Sequence, residues 1–239
     1  MSEKIRIDKY IASQTMMSRK EIKKLIKQNG VRVNSIVCTS PDFKVSTETD
    51  RVSVNGEVIR YKKYVYYMLN KPPGVLSASE DKKAQTVIDL LPQSMKRPNL
   101  FPCGRLDKDT TGLLIITDDG DYAHRVLSPN KNVYKQYIAT LDKAADKAVT
   151  QDFKNGITLS DGTVCKPAFV KDINKNVVTL DICEGKFHQV KRMFAALGYT
   201  VVGLKRVRIG ALCLDNMLDM GQAKELSQET AFSALENIV

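Results

Sequence analysis

Gly104-Arg105-Leu106-Asp107-Lys108-Asp109-Thr110-Thr111-Gly112-Leu113-Leu114-Ile115-Ile116-Thr117-Asp118-Asp119-Gly120 is a charged loop that feeds an apolar strand, and the rest of the chain is organised around it. Leu113 to Ile116 is a continuous apolar run, the pattern of a strand covered on both faces. Asp118-Asp119-Gly120 closes it with turn chemistry. Ahead of the strand, Arg105, Asp107, Lys108 and Asp109 place two carboxylates and two cations within five positions. Charges beside a buried strand end are either a solvated turn or a site mounted on a rigid scaffold. Spacing alone favours the turn, because most charged loops are inert surface.

The 239 residues allow one large domain, or a small domain plus a larger one, and 43% hydrophobic residues are enough for a proper core. A net charge of +10 points to a polyanionic partner, for which nucleic acid is the usual case. No apolar run approaches the roughly 20 residues of a spanning helix. Met1-Ser2-Glu3-Lys4-Ile5-Arg6 has no leader-like apolar region, so a cytoplasmic location is expected. Cys38, Cys103, Cys165, Cys183 and Cys213 are scattered, with no Cys-x-x-Cys pair, which argues against a disulfide framework or a zinc knuckle. Cys103 as a nucleophile would need His124 or His188 beside it, and an isolated cysteine is usually a small buried hydrophobe.

Residues 1–60 read as a small module. Ile7, Tyr10 and Ile11 fall at helical spacing. Ser18-Arg19-Lys20-Glu21 is a capping box that opens a second helix, with Gly30 expected as its C-cap. Ile22, Leu25 and Ile26 form its apolar face, while Lys20, Lys23, Lys24 and Lys27 stack on another at i, i+3, i+4 and i+7. Four like charges on one stripe repel; the stripe is either a solvated face or a track for a phosphate backbone. Short strands follow at Val31 to Val33, Arg51 to Val54 and Glu57 to Ile59, with Asn55-Gly56 as a hairpin turn. Arg60 to Lys63 reads as a linker.

Residues 64–239 read as the larger domain. Tyr64 to Leu69 is a strand, broken by Asn70-Lys71-Pro72-Pro73-Gly74. Thr86 to Pro92 looks like a short helix. Asp121 to Leu127 is a helix carrying His124, which on such a helix is more often structural than catalytic, and Ser128-Pro129 ends it. Lys135 to Ala139 is a strand in which Tyr137 alternates against Ile138. Gly185 to Phe194 opens a helix whose core face is Val190, Met193, Phe194 and Leu197, capped at Gly198. Leu204 to Gly210 alternates cations with apolar residues, the period of a strand with a basic outer face.

Several of these stretches carry a family resemblance. The Gly104–Gly120 run, Leu69-Asn70-Lys71-Pro72-Pro73-Gly74, Lys135-Gln136-Tyr137 and Gly185-Lys186-Phe187-His188-Gln189-Val190-Lys191-Arg192-Met193 resemble the motifs of pseudouridine synthases of the branch that includes RsuA, RluB, RluE and RluF. Arg6 to Ile11, Ser18-Arg19 and Ile26 to Asn34 resemble the S4 RNA-binding domain.

The resemblance implies an α+β fold: a small S4 domain, then a synthase domain with a mixed, mostly antiparallel sheet flanked by helices. It implies that Asp107 is the catalytic carboxylate, that Lys191 pairs with it, that Tyr137 stacks on the target base, and that Arg105 fills the gap left by the extruded nucleotide. Val190 is expected to line the base pocket. Arg6, Arg19, Lys20, Lys23, Lys24, Lys27 and Lys71 are the expected RNA contacts. A carboxylate in a closed site is raised above its ordinary value of roughly 3.9 by desolvation and pulled down by a neighbouring cation, which is the physical sense of the Lys191 pairing.

No cofactor or metal is implied. The implied partner is ribosomal RNA, free or in a partly assembled small subunit, with a monomeric protein and no membrane. Thr110-Thr111-Gly112, Thr117-Asp118-Asp119-Gly120 and His124 to Pro129 resemble the RsuA type more than the 23S enzymes, which implies a 16S target (uridine 516) over a 23S one. Lys108 also suits the 23S group, and the S4 domain argues against the RluE type. A non-catalytic assembly factor that only binds RNA is the other reading; the joint presence of Arg105, Asp107, Tyr137 and Lys191 argues against it.

Overall fold

A computed structural model describes residues 4–236. Met1 to Glu3, the start of the segment read for a leader and of the expected small module, lie outside the described residues, as does the end of the expected larger domain from residue 237. Among the described residues no helix is long and apolar enough to cross a membrane. The chain divides into two compact units. One takes the chain up to Tyr64 together with Pro92–Leu100; the other takes Val65–Leu91 and the chain from Phe101 onward.

The first unit runs β1 (Lys4–Arg6), α1 (Ile7–Gln14), α2 (Arg19–Lys27), β2 (Val31–Val33), β3 (Ile36–Val37), β4 (Lys44–Ser46), β5 (Val52–Val54) and β6 (Glu57–Ile59). Ser18 and Glu21 close the expected capping box in both directions, Glu21 N–H to Ser18 Oγ at 3.3 Å and Ser18 N–H to Glu21 Oε2 at 2.7 Å. The other end of α2 differs from expectation. Asn29, not Gly30, takes the left-handed conformation (φ 59°), while Asn29 N–H reaches Ile26 O and Gly30 N–H reaches Leu25 O. This is a Schellman closure with asparagine in glycine's usual place. Gly30 is small for another reason: a Cβ there would lie 2.7 Å from Asn55 Oδ1. The antiparallel sheet has the order β3-β2-β5-β6, and β1 pairs with β4. Ile7, Tyr10, Ile11, Ile22, Ile26, Val31, Val45 and Val52 fill the core between helices and strands.

Residues 92–100 join this unit through Arg97, a buried side chain. Its guanidinium donates to Gln14 Oε1 and to the carbonyls of Lys62 and Lys63 at 3.0–3.2 Å. The stretch read as a linker is thus held by hydrogen bonds.

The second unit contains β7 (Tyr66–Lys71), β8 (Phe101–Pro102), β9 (Thr111–Thr117), α3 (Gly120–Leu127), β10 (Lys135–Leu141), α4 (Val149–Asn155), β11 (Phe169–Asn174), β12 (Val177–Ile182), α5 (Gln189–Ala196), β13 (Val201–Ile209), β14 (Leu212–Cys213), β15 (Ala223–Glu225) and α6 (Gln228–Phe232). Its sheet runs β11-β12-β10-β13-β9-β7-β15, with β14 on β13 and β8 on β9. Every pairing is antiparallel except β9 with β13, so the sheet is mixed and mostly antiparallel, as the resemblance implied.

The apolar strand β9 is central and buried from Gly112 to Thr117. Gly112 has φ +97°, and a Cβ there would sit 2.2 Å from Arg206 O; no side chain fits where the two parallel strands meet. Asp118-Asp119-Gly120 does more than turn the chain: Asp119 caps α3, accepting from Tyr122 N–H at 3.0 Å and from Tyr66 Oη at 2.6 Å.

Three local expectations need correction. β7 continues through Asn70 and Lys71 and breaks only at Pro72, the first residue without an N–H for the ladder. Thr86 to Pro92 forms successive turns rather than a helix, tied by Thr86 N–H and Oγ1 to Asp89 Oδ2. The cations of β13 do not all face outward. Arg206 and Arg208 are buried, Arg206 Nε donating to Leu113 O at 2.8 Å and Arg208 Nη2 to Asp181 Oδ2 at 2.8 Å. Alternation gives the period of a strand, but not which side is wet.

Candidate active site

The loop entering β9 is fixed by its carbonyls. Lys71, fully buried at the end of β7, donates from Nζ to the carbonyls of Pro72, Lys108 and Thr110 at 3.0–3.1 Å. Burial lowers this ammonium to about 8, an effect that nearby Asp109 and Asp107 partly oppose. Lys71 was expected at the RNA surface. With no exposed area it cannot contact RNA; its charge holds the loop backbone instead. Gly74 N–H to Lys108 O (2.7 Å) and Leu106 N–H to Ser77 Oγ (3.1 Å) complete the support.

On this loop Asp107 meets α5. Lys191 Nζ is 3.3 Å from Asp107 Oδ2 and 2.6 Å from Asp109 Oδ1, so one ammonium bridges two carboxylates. The hydrogen bond from Lys191 lowers the Asp109 carboxyl below its ordinary range. His188 Nε2 stands 3.5 Å from the other oxygen of Asp107, and Thr110 Oγ1 lies 3.5 Å from Oδ2. Lys191 reaches this position because Val190, Met193 and Phe194 turn the neighbouring positions of α5 into the core. Gln189 fixes the approach to the helix, accepting from Lys186 N–H and donating to Glu184 Oε1. His188 itself adopts the left-handed conformation (φ 48°, ψ 33°), one that histidine visits more readily than most residues.

A pocket of about 70 Å³ opens beside Asp107, lined by Arg105, Asp107, Tyr137, Ile182, His188 and Val190 among others. Dedicated small-molecule pockets run to roughly 300–1,000 Å³. A space this small suits one flat ring presented from outside and not a whole enclosed ligand. Tyr137 is largely buried on β10, level with Leu180 and Arg206 on the flanking strands. A register shift between Gln136 and Tyr137 brings Arg206 beside Tyr137, while Arg208 falls beside Gln136 opposite Asp181. Arg105 is exposed at the pocket. Four separate sequence stretches, holding Arg105 and Asp107, Tyr137, Ile182, and His188 to Lys191, are thus brought to one place.

The remaining candidates lie elsewhere. Arg19, Lys20, Lys23, Lys24 and Lys27 are exposed and share one surface of α2. Arg6, half exposed, pairs with buried Asp8 at 3.0 Å. His124 is exposed on α3 and does not line the pocket. Cys103 is buried, and burial pushes its thiol up to about 12, which removes it as a nucleophile. Sequence reasoning weighed His188 only as a partner for Cys103 and gave no role to Asp109. Both lay inside quoted motifs, but only the fold shows that they converge on Asp107 and Lys191. Among the described residues no group of three or more His, Cys, Asp or Glu side chains is gathered as a metal site requires.

Residues 65–196 match the family described as RNA pseudouridylate synthase, and residues 5–52 match the S4 domain. The chain belongs to the RNA pseudouridylate synthase family. It is 42% identical over 229 residues to an uncharacterized RNA pseudouridine synthase, YtzG, of Bacillus subtilis, covering 94% of this chain and 96% of that protein. It is 40% identical to the ribosomal small subunit pseudouridine synthase A of Vibrio cholerae (96% and 99% covered) and 37% identical to that of Escherichia coli (97% and 100%). A crystal structure of a pseudouridylate synthase superposes with a TM-score of 0.67 at 35% identity, covering 96% of this chain and 99% of that one. The protein is a pseudouridine synthase of the RsuA type, an isomerase, with an S4 RNA-binding domain at its N-terminal end.

Proposed function

We propose that this synthase isomerises one uridine of 16S ribosomal RNA, the position corresponding to uridine 516, with Asp107 as the catalytic carboxylate. The observation that carries the reading is the convergence of Arg105, Asp107, Tyr137 and Val190 on one base-sized pocket, with Lys191 paired to Asp107 at 3.3 Å. The substrate is supported by the two relatives named as small subunit synthases, matched over almost their whole length.

In this scheme the basic face of α2 (Arg19, Lys20, Lys23, Lys24 and Lys27), with Arg6 nearby in sequence, holds structured RNA of the 16S molecule or of an assembling small subunit. The target uridine leaves its stack, and Arg105 takes up the space it leaves. The uracil enters the pocket against Tyr137, whose ring replaces the lost stacking. Asp107 attacks the nucleotide or removes a ribose proton. The bond from N1 to the sugar breaks with its electron pair leaving on the uracil, and the uracil turns. C5 bonds to C1′ as the bond to Asp107 breaks or, on the other route, as Asp107 returns the ribose proton; the C5 proton is then lost while N1 gains one. No atom is gained or lost overall, so the step needs no redox partner. Lys191 holds Asp107 in place as its ion-pair partner.

Pseudouridine mapping of 16S and 23S RNA from cells with and without the gene tests the substrate. Loss of a single 16S site is expected; loss of a 23S site would transfer the assignment to that RNA. For the chemistry, Asp107→Asn is expected to form no product from a 16S transcript while its affinity stays within about threefold. Full turnover by that variant would remove Asp107 from the mechanism.

A further inference from the structure

Phe187 is 69% exposed, yet it directly precedes a residue that lines the pocket. Exposed apolar side chains are common singly, and what sets this one apart is its stacked partner. It is also ordered on one side: its ring stacks on the His188 imidazole at 3.8 Å with 17° between the planes. His188 in turn stands 3.5 Å from Asp107. One face of Phe187 is therefore occupied by an aromatic partner, and the other is open to solvent beside the site.

The flanking side chains keep it so. Lys186 Nζ is held by Glu184 Oε2 and by Val164 O, both at 2.8 Å, and Arg192 is paired to Asp161 at 2.5 Å. These two cations, close to Phe187 in sequence, are thus drawn to carboxylates rather than laid over the ring. Val164, itself 67% exposed, adds apolar surface on the side that Lys186 reaches. The result is a flat apolar face on a basic protein whose substrate is RNA.

We propose that the Phe187–His188 stack is a subsite for the nucleobase adjacent in the RNA chain to the isomerised uridine, which stacks on the open face of Phe187. This rests on the pocket at Asp107 being the reaction site. Extruding one nucleotide breaks stacking on both of its neighbours, and an exposed aromatic face stacked on the pocket residue His188 restores it for one of them. The contact is sequence-tolerant, since every base has a π-face. Phe187 thus binds RNA beside the reacting nucleotide and takes no part in the bond changes.

The chain contains no tryptophan, so Phe187→Trp places a single tryptophan on this platform, which can be excited apart from the tyrosines. The full-length Phe187→Trp protein, also carrying Asp107→Asn to prevent turnover, is titrated with a 16S transcript while filter binding follows saturation independently. Quenching that saturates with binding is expected. Bound RNA without a change in fluorescence overturns the proposal. In the otherwise native protein, Phe187→Ala is expected to raise KM about tenfold or more with kcat changed less than threefold, and Phe187→Tyr to retain native values. An unchanged KM in Phe187→Ala also overturns it. Full activity of Asp107→Asn would instead remove the reaction site while leaving the fluorescence result standing, so the two failures are distinguishable.

Discussion

The cations of α2 and the cations of the synthase sheet are the same residue types put to opposite uses. On α2, Lys20, Lys23, Lys24 and Lys27 are exposed, and among the described residues none forms an ion pair. In the synthase unit Lys71, Lys135, Arg206 and Arg208 are buried, and each donates to a backbone carbonyl or a carboxylate. Lys135 is lowered to about 8 by burial and then by the neighbouring Arg206 charge. Positive charge in this protein therefore does two jobs. In one unit it is left exposed, with no ion pair among the described residues. In the other it replaces missing backbone donors around the loop and strands that carry the site.

The sharpest way to break this contrast is Arg208→Leu, which would leave Asp181 buried with Lys171 at 3.8 Å as its remaining cation among the described residues. Removing one member of a buried pair typically costs 3–5 kcal/mol; with the second cation nearby, about 3 kcal/mol is expected in urea unfolding. A variant as stable as the native protein would show that the buried cations are not structural.

Lys71→Met should follow at about 2 kcal/mol. Three carbonyls lose their donor at ~1–3 kcal/mol each, offset in part because an ammonium no longer has to be buried. Its pH dependence has a definite sign. The folded value, about 8, lies below the ordinary 10.5, so between these values the unfolded chain holds more protons than the folded one. The Lys71 contribution to stability therefore improves as pH rises through that window. Melting curves of the native protein should show this rise, and Lys71→Met should show a smaller one, because Lys135, lowered likewise to about 8, still contributes.

The smallest effect on stability belongs to α2. Replacing Lys20, Lys23, Lys24 and Lys27 together by Gln should change stability by no more than about 0.5 kcal/mol. The salt dependence of RNA binding should meanwhile fall by roughly 0.7 in slope for each phosphate no longer neutralised. A large loss of stability with an unchanged salt slope would reverse the contrast.

The fold was legible wherever pattern and burial coincide. Leu113 to Ile116 reads as a doubly covered strand and lies in the middle of the sheet; Ser18 and Glu21 read as a capping box and form one. What the sequence did not reveal is which side of a strand is dry when cations alternate with apolar residues. Arg206 and Arg208 look solvated because charge is normally outside. Their burial follows from partners about 90 and 30 positions away, Leu113 O and Asp181, which no local pattern records. Lys71 misled in the same way. At the site, the motif residues lie around one pocket, but the bridging of Asp107 and Asp109 by Lys191 and the approach of His188 depend on how α5 docks. Gly30 shows the complementary error: the helix ends where glycine suggests, by means of the asparagine before it.

Arg97 bears on how this protein can be taken apart. Its guanidinium clasps Gln14, Lys62 and Lys63 from a stretch of chain that the sequence reaches only after some thirty residues, most of them in the other unit. The RNA-reading module is therefore not a detachable front end. A fragment stopped at Tyr64 would lose the Arg97 donor at Gln14, Lys62 and Lys63, and would keep the bonds that Gln14 and the Lys62 backbone make to each other. A portable version would need residues 92–100 spliced back on, through a short designed loop, before it could be transplanted to another enzyme.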